Sequence, residues 1–150
     1  MFLFGPRGVG KSTLVQSTLE EGAITLNLLH LDEVSRYRFN PSLFRDEIEM
    51  KLKHRSALKI FIDEIQLLPE LLNEVHFLIE KYQERIRFIL TGSPARKLKR
   101  SDANLLAGRA FDIKLHPISN LEEPLDLHRA LRFGTLPKPY FSSSDPTEML

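Results

Sequence analysis

The chain has 150 residues, with 21 Lys and Arg against 20 Asp and Glu for a net charge of +1, and no cysteine. This length suits one domain with a sizeable core, and the balanced charge excludes a global field that would recruit nucleic acid or anionic membrane. The missing cysteines exclude disulfides, thiolate metal sites and cysteine nucleophiles, and no apolar run approaches the ~20 residues of a bilayer span, so a cytoplasmic chain with no membrane contact is expected.

Phe2 to Phe4 reads as a first strand, and Ser12 to Glu21 as a helix with Leu14, Val15, Thr18 and Leu19 at helical spacing and Gly22 as its stop. Ala23 to Leu29 reads as strand two. Asn40-Pro41 is expected to cap and open a helix whose apolar set is Leu43, Phe44, Ile48 and Leu52. Lys59 to Asp63 is a third strand, nearly continuous in apolar side chains as a strand covered on both faces should be. After Pro69, the residues Leu71, Leu72, Val75, Leu78, Ile79 and Tyr82 share one helical face. Arg87 to Thr91 is a fourth strand, followed by Gly92-Ser93-Pro94 and a short helical stretch near Asp102 to Leu106. Ala110 to Leu115 closes the series; its alternation of Phe111, Ile113 and Leu115 with Asp112 and Lys114 suits an edge strand. Strands separated by helices imply an α/β fold, a parallel five-stranded sheet with helices on both faces, whose ligands bind at the carboxyl ends of the strands.

Between the first strand and its helix stands Gly5-Pro6-Arg7-Gly8-Val9-Gly10-Lys11-Ser12, followed by Thr13. The pattern matches G-x-x-x-x-G-K-[ST] in the strand-to-helix setting that a phosphate-binding loop requires. Glycines let successive N–H groups turn toward a polyphosphate, Lys11 supplies a point charge, and the Ser12 hydroxyl can ligate magnesium. Lys11 is read as facing solvent, so its loss should remove nucleotide and leave the fold intact. The third strand ends in Asp63-Glu64, which at a magnesium nucleotide would hold the metal through Asp63 and activate water through Glu64. The same two carboxylates also suit a capping pair ahead of a helix. The five histidines, His30, His54, His76, His116 and His128, have no metal-ligand spacing. The run Arg96-Lys97-Leu98-Lys99-Arg100 could touch nucleic-acid phosphates, although a short basic run also serves as a solvated face.

One strand and one helix intervene between the loop helix and Asp63-Glu64, and this resembles the additional-strand, catalytic-glutamate branch of P-loop NTPases. A guanine-reading Asn-Lys-x-Asp is absent from the sequence. Together with Phe61-Ile62-Asp63-Glu64-Ile65-Gln66, Ile89-Leu90-Thr91-Gly92-Ser93 and Leu106-Ala107-Gly108-Arg109, the loop is similar to prokaryotic AAA-type ATP-binding proteins. In these an N-terminal ATPase domain precedes a second domain often described as nuclease-like. The resemblance implies ATP and Mg2+ as ligands. It also implies a sensor hydroxyl at Ser93 or Thr91, with Ser93 preferred, and an arginine at Arg109 that completes the site of an adjacent copy in a homo-oligomer. It divides the chain into an ATPase core over 1–118, the start of a helical lid over 119–137 and a Pro- and Ser-rich tail or linker over 138–150. The expected function is ATP hydrolysis to ADP and phosphate, coupled to a partner or further domain. A nucleotide-binding switch or truncated remnant without turnover, and a nucleic-acid-binding accessory, stand as alternatives.

Overall fold

The computed structural model describes residues 1–93 and 111–142. Strands β1 (Phe2–Phe4), β2 (Ile24–Asn27), β3 (Leu58–Asp63), β4 (Ile86–Gly92) and β5 (Asp112–Lys114) form a single sheet in the order β2-β3-β4-β1-β5. All four pairings are parallel. β4 therefore lies between the strand that leads into the loop and the strand that ends in Asp63. This is the inserted strand that the sequence resemblance implied.

Helices cover both faces. On one face α2 (Leu31–Phe39), α3 (Ser42–Leu52) and α4 (Leu71–Tyr82) pack against Leu26, Ile60, Ile62, Phe88 and Leu90. The four innermost residues of α4, Leu71, Leu72, Val75 and Leu78, have no measurable exposure, and each such burial stabilises the fold by about 2 kcal/mol. On the other face α1 (Lys11–Thr18) sets Val15 against Leu3 and Phe61.

Several boundaries differ from the sequence reading for local reasons. β2 stops at Asn27 rather than Leu29, because the Asn27 side-chain oxygen accepts from the Leu29 N–H at 3.0 Å and its carbonyl accepts from the His30 N–H at 3.2 Å. α1 stops at Thr18 rather than Glu21, where the Ser17 and Thr18 hydroxyls donate back to the Leu14 and Val15 carbonyls. Asn40 does not cap α3: its side-chain oxygen accepts from the Ser42 hydroxyl at 2.7 Å instead. α2 was not expected. It buries only Val34 and Tyr37, a stripe too thin to register as periodicity, although Asp32 and Glu33 in its first turn and Arg36 and Arg38 in its last follow the helix dipole.

β5 occupies the expected edge, yet Phe111 and Ile113 are exposed; Leu115 alone of the alternating set turns inward, against the Leu3, Val15 and Phe61 cluster. The expected tail from Lys138 begins inside a helix. α5 (Leu127–Phe133) and α6 (Pro137–Phe141) lock together through Tyr140, which is buried, and Arg129. The Tyr140 hydroxyl accepts from the Asp126 N–H at 2.9 Å, and Arg129 Nε donates to the Tyr140 carbonyl at 2.7 Å. The short helix expected near Asp102 to Leu106, the basic run 96–100 and Arg109 lie outside the described residues.

Gly5 ends β1 against the chain leaving β5. A β-carbon there would stand 2.4 Å from the Leu115 carbonyl oxygen, a backbone atom with no freedom to withdraw. Gly5→Ala is expected to lower stability by ~1–3 kcal/mol, the range for overpacking a closed site, measured as a shift of the denaturant midpoint at unchanged slope. A midpoint equal to that of the wild type would show that the two segments separate freely.

Candidate functional site

The loop from Gly5 to Gly10 leaves β1 at its carboxyl end and turns into α1. Gly8 and Gly10 take left-handed backbone conformations (φ 81° and 95°) that side chains rarely adopt. Val9 between them is buried and anchors the loop to the core, while Pro6 and Arg7 are exposed. Gly10 closes the first turn of α1, its carbonyl accepting from the Leu14 N–H at 2.9 Å. No side chain caps this helix and no acidic residue stands in its first turn. The free N–H groups and positive dipole end of α1 are thus left to an outside anion. Ser12 and Thr13 stand in that first turn.

Lys11 departs from expectation. It is only 4% exposed, and Nζ donates to the carbonyls of Gly5 and Pro6, both at 2.9 Å. The ammonium therefore ties the entry of the loop to its exit, and the residue has a structural duty besides its charge.

The second half of the site comes from β3 and β4. Asp63 ends β3, 3% exposed, and its Oδ1 accepts a hydrogen bond from the Thr91 hydroxyl. The same Thr91 oxygen accepts from the Glu64 N–H at 3.2 Å. Thr91 is fully buried and is level with Leu3 on the neighbouring β1, so Asp63, Thr91 and the foot of the loop occupy successive strands at one end of the sheet. With strands about 4.8 Å apart, the carboxylate strand stands roughly 10 Å from the loop strand, with β4 between. Of the two hydroxyls weighed from sequence, Thr91's is the one on the carboxylate; Ser93 follows β4 by one residue and is partly exposed.

Glu64 has a left-handed backbone (φ 59°, ψ 47°) and leads into a 3₁₀ turn over Ile65–Leu67. Its side chain caps no N–H of that turn; instead Oε2 accepts from Gln66 Nε2. Asp63 is likewise engaged by Thr91. The capping-pair alternative is thereby disfavoured. The parts that sequence reasoning missed are Thr91 as the partner of both acidic residues and Gln66 as the partner of Glu64. Their signals, a hydroxyl at the end of the neighbouring strand and an amide two residues beyond the glutamate, acquire meaning only once the strand order is known.

Among the described residues no group of three or more His, Asp or Glu could hold a metal ion. Ser12 and Asp63 are hard oxygen donors, and two protein oxygens are what magnesium commonly takes when phosphates and water complete its shell. The donor set fits. No helix among the described residues is long and apolar enough to cross a membrane.

An AAA domain family model matches residues 1–123. Among solved structures the chain is similar to the Aeropyrum pernix Orc1 protein in complex with DNA, at 14% sequence identity and a TM-score of 0.58. The match covers 81% of this chain and 40% of that one. No match is found among curated proteins. The family model spans most of the chain, and the chain belongs to the AAA domain family as a nucleotide-binding module with the P-loop NTPase fold.

Proposed function

We propose that the chain is a magnesium-dependent ATPase module, binding ATP at the Gly5–Thr13 loop and hydrolysing it to ADP and phosphate. The observation that carries this reading is the arrangement of Asp63, Thr91 and Glu64 at the loop end of the sheet: one buried hydroxyl fixes the carboxylate of the first acidic residue and the backbone of the second. The loop N–H groups and Lys11 bind the phosphates. Ser12 and Asp63 would hold magnesium, which when bound neutralises charge on the β- and γ-phosphates. Glu64 orients a water molecule in line with the γ-phosphorus and takes its proton as the new P–O bond forms and the bond to the bridging oxygen breaks. Adenine is the base implied by the family. Ser93 is a further candidate for sensing the γ-phosphate, and Arg109 for completing the site of an adjacent copy.

Lys11→Ala is expected to abolish nucleotide binding in a titration with ATP, with and without magnesium. Because Nζ also bridges two loop carbonyls, the same variant should lose ~1–3 kcal/mol of stability even without nucleotide. Retained affinity would refute the phosphate-loop assignment.

Glu64→Gln is expected to keep ATP binding and lower phosphate release by at least ~100-fold, the scale of a lost general base. Asp63→Asn should instead weaken the dependence of binding on magnesium. If the wild-type chain binds ATP but releases no phosphate, it is a nucleotide switch and not an ATPase.

Arg109→Ala is expected to bind ATP normally and lose ~1,000-fold or more in turnover, the range for an arginine finger. Mixing it with Lys11→Ala protein should restore part of that turnover, since one variant keeps the loop and the other the arginine. Turnover independent of protein concentration, with no rescue on mixing, would remove the role in trans.

A further inference from the structure

Gln66 follows the acidic pair by two residues and lies in the 3₁₀ turn that Glu64 introduces. Its Nε2 donates to Glu64 Oε2. The opposite orientation of the amide would set its oxygen against the carboxylate, two acceptors face to face, so the donor must be the group turned to Glu64. Its Oε1 is buried and has no partner among the described residues.

The backbone that carries Gln66 has little freedom. Ile65 at the start of the turn and Leu68 just after it have no measurable exposure. The Leu67 N–H donates to the Glu64 carbonyl at 2.9 Å, the Leu68 N–H to the Ile65 carbonyl at 3.1 Å, and Arg38 of α2 reaches across to the Leu67 carbonyl at 3.1 Å. Glu64 itself is held in a left-handed conformation that costs a residue with a side chain about 1–2 kcal/mol. Such a conformation persists where its surroundings over-determine it, and here they do: Thr91 accepts from the Glu64 N–H at one end, and Gln66 donates to the Glu64 carboxylate at the other.

We propose that Gln66 is a positioning residue for Glu64, fixing the carboxylate so that Oε2 is engaged by the amide and Oε1 is left to take the proton of the attacking water. The inference rests on the ATPase reading above. A glutamate with three side-chain torsions reaches many points around its α-carbon, and a displacement of about 1 Å at a general base costs on the order of 100-fold in rate. One amide bond from a rigid turn removes that freedom. It extends to a P-loop site the arrangement of a base oriented by a third group.

The test uses the full chain. In the nucleotide-free wild type the Gln66 side-chain amide resonance is expected away from the position of a free amide, and to return toward it in Glu64→Ala. In kinetics, Gln66→Met keeps the volume and removes the donor; it is expected to lower kcat by ~10–100-fold with the KM for ATP changed less than twofold. In a Glu64→Gln background the same change should cost nothing further, because there is no longer a base to position. An amide resonance indifferent to Glu64, or an equal cost of Gln66→Met in both backgrounds, overturns the role of Gln66 while leaving the ATPase reading intact. An amide that responds to Glu64 in a protein that never releases phosphate overturns the ATPase reading, and the positioning role falls with it.

Discussion

A single hydroxyl organises the loop end of the sheet. Thr91 stands fully buried in β4, one strand from the loop and one strand from the acidic pair, and spends its proton on Asp63 and a lone pair on the Glu64 N–H. A buried polar group without a hydrogen-bond partner is costly, and the Thr91 hydroxyl supplies that partner to Asp63 at the sheet end. Because the bond runs between neighbouring strands, it also holds the β3–β4 register at the row where chemistry is expected. Glu64 gains its unusual backbone from the same contact, since the N–H that donates to Thr91 would point elsewhere in an ordinary strand continuation.

The loop side of the site is built by close approach. Gly5 abuts the Leu115 carbonyl so tightly that only glycine fits, Val9 plugs the loop into the core, and Lys11 bridges Gly5 and Pro6. These contacts shape the loop from protein groups alone. A loop shaped in this way loses less free energy to ordering when an anion binds at the start of α1. The carbonyl partners of Lys11 are modest ones, and a phosphate oxygen with full negative charge makes a stronger hydrogen bond to an ammonium than a neutral carbonyl does. The lysine can thus exchange partners at the moment of binding without leaving its charge uncompensated.

Much of this was legible in the amino-acid sequence, and for identifiable reasons. The glycine spacing of the loop and the apolar run ending in Asp63-Glu64 are local patterns, readable without knowing what lies beside them. α4 was readable because its apolar face is wide; α2 was not, because Val34 and Tyr37 are its only buried residues. Thr91 and Ser93 stand two residues apart, and sequence order does not say which hydroxyl reaches the carboxylate of the neighbouring strand. The strand register supplies that information: Leu90 lies level with Ile62 and Phe2, so the next residue, Thr91, reaches the row of Asp63 and bonds to it. Tyr140 was hidden in a Pro- and Ser-rich stretch, and its burial depends on Arg129 and Asp126, partners more than ten residues upstream.

The segment after β5 is tied to the loop as well as to itself. The Ile118 N–H donates to the Thr135 carbonyl at 2.9 Å, which brings the start of that segment alongside the entrance to α6. Leu136 then lies where a β-carbon on Gly8 would stand 3.7 Å from its Cδ1. Gly8 takes a left-handed conformation in the loop, and a side chain there would meet Leu136 at ordinary contact distance. Leu136 leads directly into α6, whose Tyr140 is fastened to α5 through Arg129 and Asp126. The α5–α6 pair, closed on itself through Tyr140, is thereby placed beside the phosphate loop at Gly8, on the side where Leu115 already abuts Gly5.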